Sequence, residues 1–181
     1  MTNPIEAWHI DHSYFNRLLA LLQKQVDAFH FSNQPNYDLM LDIISYLRDY
    51  SDQMHHPGED VAFARLAKRC PDLELTLSRL AQEHRIIAQA GETLRKHLDA
   101  LLSDVIVPKA EIEVAAATYL VYYGNHIAKE EEDVLPRAAQ ALTPEDWEAV
   151  RNAVPHGRDP LFGGGSDERY KVLRRQIALE S

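Results

Sequence analysis

Cysteine is almost absent: Cys70 stands alone in 181 residues, which excludes an internal disulfide and any cysteine-built metal cage and suits a reducing compartment. Glycine and proline are scarce, at 7 and 9 against 45% apolar residues, so the chain is neither collagen-like nor low-complexity nor disordered. Basic side chains fall short of acidic ones, 19 against 28, leaving a net charge of -9 with no Lys/Arg cluster. Counterion release on nucleic acid or on an anionic membrane works against such a chain, and neither is expected as a partner. No apolar run approaches the ~20 residues that cross a bilayer, and the opening MTNPIEAWHIDH has neither a basic nor an apolar leader segment. A cytoplasmic protein is expected.

What is present is helical periodicity. Apolar residues recur at alternating spacings of three and four, and no period-2 strand stands out. A first helix, with Asn3 as cap and Pro4 at its first position, carries Ile5, Trp8, His12, Phe15, Leu19, Leu22, Val26 and Phe29 and ends near His30. A second starts at about Tyr37, turns Met40, Ile44 and Leu47 inward, crosses or kinks at Pro57-Gly58 and continues through Phe63 and Leu66. The third carries Leu77, Leu80, His84, Ile87, Gly91, Leu94, Leu98 and Leu101; the fourth, from near Pro108, carries Ile112, Ala116, Tyr119, Tyr123, His126 and Glu130. The expected fold is all-α, an up-down-up-down four-helix bundle over residues 1–140. A helical extension over 141–181 follows, opened by Thr143-Pro144-Glu145-Asp146 and closed by Tyr170, Leu173 and Ile177. It packs on the bundle or on a second subunit of a homodimer.

The seams are interrupted by polar residues. His12, His84 and His126 fall where the alternation demands an inward side chain, and Glu130 follows His126 by one turn. His55 and Glu59 repeat that i, i+4 spacing on the second helix, about 6 Å apart along the axis. Reaching His55 from Leu47 and Ser51 needs one spacing of four too many, which a local bulge before Pro57 absorbs. Measured from one end of an antiparallel bundle, His12, His55, His84 and His126 all lie about 17 to 18 residues deep, so they meet at one level. A lone histidine on such a helix is ordinarily a hydrogen-bonded core residue, and a lone HxxxE pair a surface contact. Agreement in depth and face reverses both readings. Four imidazoles and two carboxylates without a thiolate suit a first-row metal of intermediate softness, iron before manganese or zinc, and exceed what one tetrahedral zinc accepts. Two ions bridged by Glu59 and Glu130 are expected. His30, His97 and His156 lie far from this level, while His9, His56, Asp60 and Glu131 adjoin it.

The stretches HIDH at 9–12, HHPGED at 55–60, QEH at 82–84 and HIAKEEEDVLP at 126–136 together resemble the hemerythrin-like (HHE cation-binding) family, and the tail is similar to that of bacterial single-domain members. The resemblance implies a non-heme di-iron centre with His12, His55, Glu59, His84, His126 and Glu130 as ligands. Oxygen-carrying members bear a second histidine one turn from the first on the third helix, where this chain has Leu80 and Ala88, so one iron is expected to be a ligand short. Members that repair iron-sulfur clusters often add a domain with a cysteine pair, which this sequence does not show. The expected function is to bind or sense a small ligand (oxygen, nitric oxide or peroxide) or to buffer iron, without turning over an organic substrate. The alternatives are a di-iron oxidase or peroxidase, whose ExxH pairs do not recur here, an iron-sulfur cluster repair protein, and a metal-free interaction bundle.

Overall fold

The computed structural model of the protein describes residues 4–29, 31, 34–154, 159–163 and 168–179. Among them every regular element is helical and no strand occurs. Helix α1, Pro4–Ala28, buries the expected seam with Leu18 and Leu21 beside it. Asn3, His30 and His156 lie outside the described residues, as do residues 164–167 of the glycine-rich loop. Helix α2, Tyr37–Tyr46, begins at Asn36, whose Oδ1 accepts the Leu39 N–H at 3.0 Å.

The chain then runs on without a break through a π-helical segment, Leu47–His55, into α3, His56–Arg69. The irregularity expected at Pro57-Gly58 therefore lies earlier. Pro57 sits in the first turn of α3, where its missing N–H costs little, and the wider π turn takes up the extra residue. Leu47, Ser51 and His55, each four residues apart, stay buried on one face as a result.

After a 3-10 turn at Pro71–Leu73 comes α4, Glu74–Leu102. It ends in a reversal in which Val105 N–H reaches Ala100 O and Asp104 N–H reaches Leu101 O, with Asp104 at φ 60°, a left-handed position that Asp tolerates. Helix α5, Lys109–Lys129, passes into a second π segment, Glu130–Val134, and then α6, Leu135–Ala141. Helix α1 and the Tyr37–Arg69 stretch run in opposite senses, as do α4 and α5. His12 meets His55 while Phe15 meets Tyr50, and His84 meets His126 while His97 faces Glu111.

Two apolar clusters form the core. One gathers Phe15, Leu22, Ile44, Leu94 and Tyr119; the other gathers Trp8, Phe63, Leu66, Leu80 and Leu135. The polar residues of the seams form a layer between them. The tail lies against this chain's own helices. Thr143 and Asp146 make a reciprocal capping box at the start of α7, Pro144–Ala153, and Asp146 also takes Arg65 at 2.9 Å and Arg69 at 2.6 Å from α3. Asp159 accepts the Tyr46 hydroxyl at 2.9 Å, Phe162 stacks on Tyr14, and α8, Lys171–Leu179, buries Leu173 and Ile177 in the first cluster.

Candidate metal centre

The polar layer brings together all six residues that seam, spacing and depth single out. His12, His55, Glu59, His84, His126 and Glu130 are each at most 5% exposed. The imidazoles stand in two pairs. His12 Nε2 lies 3.0 Å from His55 Nε2, and His84 Nε2 lies 2.9 Å from His126 Nε2. Both carboxylates span the pairs. Glu59 turns Oε1 to His55 at 2.9 Å and to His12 at 3.4 Å, and Oε2 to His84 at 3.4 Å. Glu130 turns Oε1 to His126 at 3.0 Å and Oε2 to His12 at 3.4 Å. None of these four oxygens receives an aligned hydrogen bond, although all are buried.

Outside the layer each histidine is held by a carboxylate through its other nitrogen. His55 Nδ1–H donates to Asp11 at 3.0 Å, His84 to Asp60 at 2.8 Å, His126 to Glu83 at 3.3 Å and His12 to Glu131 at 2.6 Å. The four carboxylates form a ring: each helix of the layer orients the imidazole of the next. Fixing Nδ1–H in this way leaves every Nε2 lone pair aimed inward. The sequence reading missed Asp11 and Glu83 and set Asp60 and Glu131 aside as neighbours. The available signal was their adjacency in sequence, since each directly precedes or follows a layer residue: Asp11-His12, Glu59-Asp60, Glu83-His84 and Glu130-Glu131.

The field of the layer favours positive charge. Burial opposes protonation of His55, but Glu59 and Asp11 outweigh it and raise the imidazole to about 10. Burial is likewise overcome at His84, raised to about 11 by Asp60, Glu130 and Glu59, and at His12, raised by Glu59. Burial also opposes ionisation of Glu59 and Glu130, and Glu59 adds to it at Glu130. The imidazoles prevail and hold both carboxyls below their ordinary range.

His56, which the sequence placed beside the site, is buried inside it. Its ring stacks on His84 with centroids 4.2 Å apart, and burial together with the neighbouring imidazoles pushes its pKa well down. Its Nε2 lies 3.1 Å from Ser51 Oγ, which also pairs with the Tyr123 hydroxyl. His9 is half exposed and pairs with Glu131, and His97 stands away from the layer, facing Glu111 at 3.9 Å. The two imidazole pairs differ in surroundings. Phe15 and Trp8 present their rings to His55, whereas His84 has Phe63 on one side and the His56, Ser51 and Tyr123 group on the other.

Residues 3–138 match the family model of the hemerythrin HHE cation-binding domain. The chain belongs to this family. No curated protein and no solved structure matches it. Membership in the HHE family implies a bound metal cation, and the donors fit one. Four buried carboxylate oxygens without aligned donors need a positive partner, and the imidazoles converge beside them. Two imidazole nitrogens in adjacent positions on one first-row ion are about 3 Å apart, the separation found in both pairs.

Proposed function

We propose that this protein is a non-heme di-iron protein that binds or senses a small ligand (oxygen, nitric oxide or peroxide) or buffers iron. The supporting observation is the span of Glu59 and Glu130, each turning one oxygen to either imidazole pair with no other partner for its charge. On this reading His12 and His55 hold one ion, His84 and His126 the other, and the two carboxylates bridge them. Imidazole and carboxylate donors without thiolate rank iron ahead of manganese or zinc. A bound iron pair supplies Lewis acidity and a redox couple. The chain supplies orientation through its ring of Nδ1 carboxylates, exclusion of water through Phe15, Trp8 and Phe63, and hydroxyl groups at Ser51 and Tyr123 on one side only.

The same reading takes residues 1–140 as an up-down-up-down four-helix bundle, residues 141–181 as its helical extension, and the cytoplasm as its location. Metal analysis of protein purified without oxygen is expected to return two irons per chain. Protein that takes up no metal from an anaerobic ferrous solution refutes the proposal.

A further inference from the structure

We infer that His56 is a fifth imidazole ligand of the centre, supplied by the second helix to the ion beside His84 and His126. The inference rests on the dinuclear reading above and adds a residue to it. Leu80 and Ala88, one turn either side of His84, cannot coordinate, and Leu80 belongs to the second apolar cluster. The shortage expected at that ion is met from across the layer.

Three observations carry this. First, His56, Glu59, His84 and His126 each offer a ligand atom within 4.8 Å of all the others, close enough for the four to converge on one ion. The near-parallel stack of His56 on His84, with 11° between their planes, allows their nitrogens to point the same way. Second, His56 also has a carboxylate beside its outer nitrogen, here from its own helix. Its Nδ1 stands 3.4 Å from Asp52 Oδ1, and Asp52 is a buried carboxylate with no aligned hydrogen-bond donor on either oxygen. Coordination at Nε2 polarises Nδ1–H and gives that carboxylate the donor it lacks. Third, the Ser51 hydroxyl facing Nε2 has a second partner in Tyr123, so release of Nε2 to an ion leaves no polar group stranded. The π segment makes this placement possible by ending at His55, which leaves His55 and His56 both buried at the junction with α3.

The test uses the full chain, stripped of metal and titrated with Co(II) under anaerobic conditions against a competing chelator. Wild type is expected to take two ions. His56→Ala and His56→Phe should each keep one site unchanged and weaken the other at least about tenfold. His56→Phe retains a ring to stack on His84 but no donor nitrogen. If it binds both ions as wild type does, His56 only packs and the inference fails. Two unchanged sites in both variants overturn it equally, while leaving the dinuclear reading intact; a wild type that takes fewer than two ions sinks that reading instead. The wild-type dicobalt protein gives an answer that needs no variant. Each coordinated histidine contributes one exchangeable, paramagnetically shifted Nδ1–H proton resonance, lost in D2O, and five are expected; four overturn the inference.

Discussion

At the residue scale, the layer separates buried charge from surface charge within a single run, Glu130-Glu131-Glu132-Asp133. Glu130 is fully buried between His126 and His12, Glu131 holds His12 and His9 from outside, and Glu132 is exposed. Glu130→Ala is therefore expected to lose at least one ion per chain and to destabilise the protein by about 3 to 5 kcal/mol, because removing one member of a buried polar cluster leaves the others imperfectly paired. Glu132→Ala should be neutral to within about 0.5 kcal/mol and keep full metal. Metal content and thermal melts of the pair check both statements, and equal metal content would remove Glu130 from the site. His12, His84 and His126 were legible in the sequence because each breaks an apolar seam, Glu130 because it follows His126 by one turn, and His55 and Glu59 because they repeat that spacing. The Nδ1 partners were not, because Asp11, Asp60, Glu83 and Glu131 lie off the seam, where a carboxylate is ordinarily a solvated surface group. His56 was obscured for a different reason: next to His55 and before Pro57 it also reads as a turn residue.

At the element scale, helix propensity and packing make opposite demands on two glycines. Gly124 in α5 has open space where a side chain would go, so Gly124→Ala should stabilise by about 0.5 to 1 kcal/mol through the entropy it removes from the unfolded chain. Gly91 in α4 is buried, and a Cβ there would stand 3.0 Å from Cε2 of the fully buried Tyr119. The ring is fully buried and must shift to admit a methyl group, so the same substitution should destabilise by about 1 to 3 kcal/mol despite the better propensity. Chemical denaturation of the two variants checks the signs; stabilisation by Gly91→Ala would show that α4 and α5 can separate at that crossing. The helices themselves were readable from their seams, and so was the surplus residue before Pro57. Its resolution as a nine-residue π segment, with the helix continuous through Pro57-Gly58, was not. Periodicity reports that a residue is extra, but the distribution of the slack depends on which tertiary contacts hold Ser51 and His55 in place.

At the scale of the whole molecule, the residues after 141 are held against the preceding helices by polar contacts as well as by buried apolar side chains, and the polar contacts carry a pH dependence. The backbone of Thr143, Arg65 and Arg69 together hold the Asp146 carboxyl well below the usual carboxylate range, against the opposing effect of burial. A depressed carboxyl stabilises the fold above its unfolded pKa of about 3.9 and loses that contribution as pH falls towards its folded value. The melting gap between wild type and Asp146→Asn should be constant from pH 5 to 7 and shrink below about pH 4; a gap that widens in acid contradicts the assignment. The metal links the whole fold more strongly. Seven buried polar side chains, His12, His55, His56, Glu59, His84, His126 and Glu130, separate the two apolar clusters, and the unfolded chain cannot reproduce their arrangement. Binding to the folded state alone, at an ion concentration 100 times the dissociation constant, stabilises by about 2.7 kcal/mol per ion. For a domain of this length that raises the melting temperature by roughly 5 to 10 °C per ion. Calorimetry at increasing Fe(II), under anaerobic conditions, should therefore show a midpoint that climbs with the logarithm of ion concentration, and superimposable melts with and without metal would place the ions outside the layer.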